Sequence, residues 1–185
     1  TSMPVKWDTQ NNVCWKIPIP GKGWSSPIVH DGRIFLTTAV PSADHSNRHS
    51  LRALCLGAAR GDILWDVEVF VKPRTPGEKI NAKNSYASPT PVTDGTHVFV
   101  HFGPDGTACL DRDGKRIWAN DRLRYNSVHG AGGSRPSCSA RGSSSSAMVR
   151  TIPASSPWSA IQQRWRGGRL ALRWRRHVGR WVPPW

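Results

Sequence analysis

Acidic residues are absent from the last third of the chain: all 12 Asp and Glu lie between Asp8 and Asp121, and no Lys follows Lys115. This splits the formal charge of +14 into two unlike parts. In the first 132 residues 16 Lys and Arg face the 12 acidic groups, a net of +4, whereas the last 53 carry 10 Arg with nothing to balance them. The average charge therefore does not by itself argue for a nucleic-acid partner, which a uniformly basic domain would. Long apolar runs are missing as well. No stretch reaches the roughly 18 residues that a membrane-spanning helix needs, so such a span is excluded. The opening TSMPVKW has no apolar signal segment, and because it starts on Thr1 we expect the true N-terminus to lie upstream. Cysteine is scarce, and Cys14, Cys55, Cys109 and Cys138 form no C-x-x-C pair, which excludes zinc and iron-sulphur spacings. G-x-S-x-G, H-E-x-x-H and phosphate-cradling glycine loops are also lacking. The run Ser143 to Ser146 is compositional. No catalytic residue and no metal ligand is assigned.

What is present is a repeat. Short runs rich in Ile, Val, Phe and Thr are broken by Asp-Gly or Arg-Gly pairs at hairpin spacing, and no run keeps an apolar period of 3.6 over three turns. The expectation is all-β. Ser26-Pro27 followed by Asp31-Gly32 and IFLTT matches Ser88-Pro89 followed by Asp94-Gly95 and VFVHF. ALCL at 53–56 then matches ACLD at 108–111, with Cys55 and Cys109 in equivalent places, and GDILW at 61–65 matches GKRIW at 114–118. Trp15, Trp65 and Trp118 thus fall 50 and 53 residues apart. A period near 50 belongs to stacked or radially arranged units. Each unit supplies four strands: one from the Ser-Pro pair, one from IFLTT or VFVHF, one from ALCL or ACLD, and one that ends on the Trp and runs on into the next unit. Such a sheet needs neighbours on both faces, and the Trp is expected to fill space between them. Cys55 and Cys109 are expected to be small buried core residues.

Together these segments resemble the pyrroloquinoline-quinone-like (PQQ-like) β-propeller repeat, over about residues 13–133. The resemblance implies a propeller fragment of about two four-stranded blades, near 15–65 and 65–118, with the start of a third. Family rings have seven or eight blades, so the remaining blades are an expected partner. The resemblance also implies an extracytoplasmic location, in periplasm, secreted or in the cell envelope. Quinoprotein alcohol dehydrogenases of this family place a pair of adjacent cysteines near the cofactor, and nothing here matches it. A non-enzymatic scaffold or binding module, contacting protein or polysaccharide and holding no cofactor, is the expected role. The alternative is a fragment of a PQQ-dependent dehydrogenase, with PQQ and calcium at the channel.

Residues 134–185 read differently. Lys, acidic residues, Asn, Phe and Tyr vanish, and Arg, Ser, Pro, Gly and Trp take over just where a third Ser-Pro strand should follow GAGGS at 130–134. This composition matches what a GC-rich gene yields when read out of frame. With GC-rich codons, shifting the frame at Met148–Ile152 gives Asp-Gly-Ala, and shifting it at Ala154–Trp158 gives Val-Val-Ala-Leu, the two repeat signatures in the right order. A frameshifted or disordered tail is the expectation. The other reading, Arg on phosphate with Trp stacked on bases, would make the tail a nucleic-acid arm. An amphipathic membrane helix over 164–181 is disfavoured, because Gly167, Gly168 and Gly179 interrupt it and its apolar residues hold no helical stripe.

Two groups could carry binding. His45 and His49 sit in the insertion PSADHSNRHS, read as a solvated loop. Gly23-Trp24, Lys83-Asn84-Ser85-Tyr86 and Asn126-Ser127-Val128-His129 lead into the inner strands, where a propeller lines its central channel. No carboxylate cluster accompanies them, and loop packing is their expected role.

Overall fold

A computed structural model of the chain describes residues 8, 11–42, 48–73, 80, 82 and 84–122, together with the strand backbones of 136–140, 147–151, 159–166 and 169–176. The first sheet contains β1 (Ile28–His30), β2 (Arg33–Pro41), β3 (Arg48–Gly57) and β4 (Ile63–Pro73). The second contains β5 (Val92–Thr93), β6 (His97–His101), β7 (Thr107–Asp111) and β8 (Arg116–Asn120), with a 3-10 turn at Gly103–Asp105. Strand order equals chain order in both, and every pairing is antiparallel. No α-helix occurs among the described residues. The described residues are all-β, and their two consecutive four-stranded meanders packed on a shared core have the arrangement expected of neighbouring propeller blades.

Turn chemistry fixes the register. His30 pairs with Arg33 across Asp31-Gly32, whose φ values of 48° and 69° are both positive. A two-residue turn matching the right-handed strand twist demands this, and Asp-Gly supplies it at low strain. Once the register is set, strand alternation sorts side chains to opposite faces. Phe35, Ala39, Leu51, Ala53, Cys55 and Val69 of the first sheet meet Val98, Val100, Phe102, Ala108 and Leu110 of the second in one buried cluster. The alternate residues Phe99 and Cys109 form a smaller cluster with Val92 and Trp118 on the second sheet's other side.

Trp65 joins the first sheet to the second, and Trp15 joins the segment before β1 to the first sheet by the same geometry. Trp65 donates its indole N–H to the Arg112 carbonyl at 2.9 Å, and Trp15 donates to the Ala58 carbonyl at 2.9 Å. Ala58 and Arg112 open the equivalent turns before β4 and β8. Each ring lies on a glycine: a Cβ on Gly61 would stand 2.5 Å from Trp15 Cε3, and one on Gly114 2.8 Å from Trp65 Cδ2. Both glycines also have φ near +80°, at +77° and +84°. Two requirements, left-handed backbone and room for an indole, thus coincide at the residue four before the next Trp. The fourth strand runs on toward the next unit as expected, but its Trp stands near the start of the strand and not near its end. Trp65 is the third residue of β4, which continues to Pro73, because DVEVFV keeps a strand pattern beyond it.

Four further strands lie where no regular strands were expected: β9 (Pro136–Ala140), β10 (Ala147–Thr151), β11 (Ser159–Arg166) and β12 (Arg169–Arg176). They pair as a third antiparallel meander, and β9 approaches β5 and β6. Arg166 pairs with Arg169 across Gly167-Gly168, and Trp165 with Leu170, Gln163 with Leu172 and Ile161 with Trp174 follow in register. Apolar residues at alternate positions suit a strand.

Candidate functional site

The loops gather at two places where function could reside. The first is the inner edge of the first blade. Gly21 to Ser25 runs beside β2, Lys22 bridges Ala39, and Ser25 Oγ accepts the Thr37 N–H at 3.1 Å. The Trp24 and Ser25 N–H groups both donate to the Ala87 carbonyl of the next blade, at 3.0 and 3.2 Å. These bonds hold the two entering segments together, while the Trp24 side chain is 64% exposed. A groove of about 490 Å³ runs beside it, lined by Ile19, Lys22, Trp24, Leu36 and Thr38 with the backbones of Gly21 and Gly23.

The second place is the loop end of the blade junction. The ring of His49 lies 4.7 Å from that of Tyr86, Lys72 Nζ stands 5.2 Å above the Tyr86 ring, and the same ammonium reaches Asp105 Oδ1 at 3.0 Å. Lys72 and Asp105 come from different blades, so their pair ties the junction, as do Phe70 and Phe102 packed edge to face at 6.0 Å. On the opposite, turn end, Arg33 reaches Asp113 at 3.3 Å and Arg112 pairs with Asp31. The hydrogen bond and charge of Arg112 lower the Asp31 pKa.

His101 is 2% exposed, with Nδ1 2.8 Å from Thr107 Oγ1. Burial depresses its pKa to about 4, keeping it neutral at physiological pH. Cys55 and Cys109 are buried free thiols, and burial pushes the Cys55 pKa up to about 11. Such a thiol is not a nucleophile at neutral pH.

The sequence candidates distribute as follows. Trp65 lies between the two sheets, Trp15 sits on Gly61 of the first, and Trp118 lies against Phe99 with ring centres 6.3 Å apart. Cys55 and Cys109 stand directly opposite Trp65 and Trp118 in register. Of the Ser-Pro pairs, the Ser26 N–H donates to Thr90 Oγ1 at 3.2 Å and the Pro89 carbonyl accepts Thr37 Oγ1 at 3.4 Å; Pro27 precedes β1 directly. Ser88 Oγ accepts the Ser85 N–H at 2.8 Å, shaping the turn that carries Tyr86. His49 is on β3 rather than in a free loop, at the blade junction. His45, Lys83 and Asn126 to His129 lie outside the described residues. Among the described residues no three His, Cys, Asp or Glu gather as metal ligands.

Sequence reasoning missed the Lys72–Asp105 tie and buried His101. Neither has a local signal, since both depend on which strands meet. The glycine seats were legible, because Gly61 and Gly114 each stand four before a repeat Trp.

No protein-family model matches the chain, and no curated protein matches it. Among solved structures it is similar to a quinohemoprotein alcohol dehydrogenase from Pseudomonas putida HK5, at 14% identity and a TM-score of 0.46. The alignment covers 85% of this chain and 21% of that one, so this chain spans about a fifth of that structure's length. No helix among the described residues is long and apolar enough to cross a membrane.

Proposed function

We propose that the chain is a stretch of a PQQ-like propeller that serves as a scaffold or binding module, completed by further blades and presenting its loop end to a protein or polysaccharide outside the cytoplasm. The observation that carries this reading is how the polar groups at the blade junction are used. Lys72 meets Asp105, Arg33 meets Asp113 and Arg112 meets Asp31, each across the junction, so these charges join blades rather than await a substrate. Tyr86 and His49, half-buried against each other at the loop end, are the aromatic and imidazole groups placed there, chemistry suited to sugar rings or peptide side chains.

The dehydrogenase alternative would use the groove beside exposed Trp24 for PQQ and calcium. The residues described do not fit that pair, since calcium takes six to eight oxygen ligands, usually with several carboxylates, and no such cluster is formed among them. The test is titration of the full-length protein with PQQ and Ca²⁺, followed by alcohol-dependent dye reduction and by retention on immobilised polysaccharide. Retention that weakens in Tyr86→Ala, with no PQQ uptake, is the expected result. Stoichiometric PQQ uptake with dye reduction would overturn it. Salt-sensitive DNA binding that disappears on deleting residues 134–185 would instead assign the binding role to the tail.

A further inference from the structure

Four Asp-Gly pairs occur in the chain, at 31–32, 94–95, 105–106 and 113–114. Such a pair is open to ring closure, because glycine has no side chain to shield its amide nitrogen from the preceding carboxyl. The four are alike in sequence, and their surroundings in the fold separate them. Asp94 is held by its own turn: Oδ1 accepts the Thr96 and His97 N–H groups at 2.9 and 2.7 Å, and Oδ2 meets His97 Nδ1 at 3.2 Å. Asp105 is largely buried and reaches Lys72 Nζ at 3.0 Å. Asp31 takes the Arg112 guanidinium, whose hydrogen bond and charge lower its pKa and so deplete the neutral acid, which is the electrophilic form.

Asp113 lacks such a hold. In the turn between β7 and β8 it is Asp111 that organises the backbone, its Oδ1 accepting the Asp113 and Lys115 N–H groups at 3.0 and 2.8 Å. The Asp113 side chain is left 84% exposed, and its contact among the described residues is with Arg33 at 3.3 Å. The same guanidinium nitrogen also donates to the Arg112 carbonyl. An exposed pair of this length restrains a side chain weakly. Ring closure there breaks a single backbone bond, from the Gly114 N–H to the Asp111 carbonyl at 3.2 Å. Gly114 is also the residue beneath the Trp65 indole, and the Arg112 carbonyl two residues earlier accepts the indole N–H.

We propose that Asp113-Gly114 is a site of spontaneous modification, at which the chain converts to isoaspartate and loses the fit of Gly114 beneath Trp65. The Gly114 nitrogen attacks Asp113 Cγ, forming an N–Cγ bond, and the amide proton leaves with the carboxyl hydroxyl as water. Water then opens the succinimide. Opening at the original α-carbonyl leaves Cγ bonded to the Gly114 nitrogen and frees an α-carboxylate, so the main chain gains one methylene with no net change in mass; opening at Cγ restores aspartate. Water is the only co-reactant. The added methylene lengthens a turn whose ends are fixed by the bonds between Asp111 and Lys115, and it shifts Gly114 against an indole with no spare room.

The test ages the full chain at neutral pH and follows each Asp-Gly pair by peptide mapping with electron-transfer fragmentation, alongside methyl transfer by an isoaspartate-specific carboxyl methyltransferase. Isoaspartate should accumulate several-fold faster at Asp113 than at Asp31, Asp94 or Asp105. Asp113→Glu, which keeps the charge but would have to close a less favoured six-membered ring, should remove most of the methyl acceptance. Equal conversion at the four pairs, or faster conversion at another, overturns the site. In concentrated urea the preference for Asp113 should vanish; its persistence there would show that the fold does not set it, against the inference. The isoaspartate fraction, separated from the unmodified chain, should unfold at a urea midpoint lower by at least about 1 M, whereas aged Asp113→Glu should keep its midpoint. An unchanged midpoint in the isoaspartate fraction overturns the link to Trp65.

Discussion

Replacing Gly114 with Ala isolates the inter-blade tryptophan seat. Gly114 has φ +84°, so any side chain there occupies a left-handed conformation, costing about 1–2 kcal/mol. The new methyl would also stand 2.8 Å from Trp65 Cδ2 and 3.1 Å from Val67 Cγ2. Crowding of this kind costs about 1–3 kcal/mol, and pushing the indole away loses the bond to the Arg112 carbonyl, about 1 kcal/mol more. The total is about 4 kcal/mol, a large part of a small domain's stability. Gly32→Ala is the control, because Gly32 has φ +69° but nothing within 4 Å of a Cβ, leaving only the backbone cost. With a urea slope of about 2 kcal/mol/M, the about 3 kcal/mol difference places the Gly114→Ala midpoint about 1.5 M below that of Gly32→Ala. Equal midpoints would refute the seat. A second check uses Trp65→Val, in whose background Gly114→Ala should cost less than in the unaltered chain, the contact with Val67 remaining; full additivity would show that the two positions do not interact.

Three further outcomes follow from the geometry. His101 has a folded pKa near 4, below its ordinary value of about 6.5, so the unfolded chain binds the proton first. Stability is therefore complete above about pH 6.5 and falls as pH drops toward 4, by about 3 kcal/mol, and His101→Gln should flatten the urea midpoint across that window. Lys72→Met and Asp105→Asn should each destabilise by about 2 kcal/mol with a coupling above about 0.5 kcal/mol in a double-mutant cycle, because both side chains are largely buried at the junction; strict additivity would refute the tie. Sequencing the gene across residues 130–185 should reveal, in a shifted frame, a third Asp-Gly hairpin followed by a Val-Val-Ala-Leu strand; its absence in every frame would remove the frameshift explanation of the Arg-rich tail.

Much of the architecture is written locally. Asp31-Gly32 determines where the first hairpin turns, because few residue pairs tolerate two positive φ values, and Gly95, with φ +93°, lies in the corresponding turn of the second sheet. The period of about 50 and the Gly-to-Trp spacing of four mark the blades, since each blade solves the same packing problem with the same two residues. Strand ends are less legible: β4 runs eight residues past Trp65, and β9 to β12 arise from a segment whose composition conceals its alternation.

The sequence by itself determined the blade and its repeat, because turns, strand alternation and glycine seats are properties of neighbouring residues. Only the tertiary structure decided which side chains work as partners. That Lys72 meets Asp105, that His49 lies on Tyr86, that His101 is buried, and that Leu36 and Thr38 face an open groove all depend on two sheets meeting at one angle and register, which no short stretch of chain encodes.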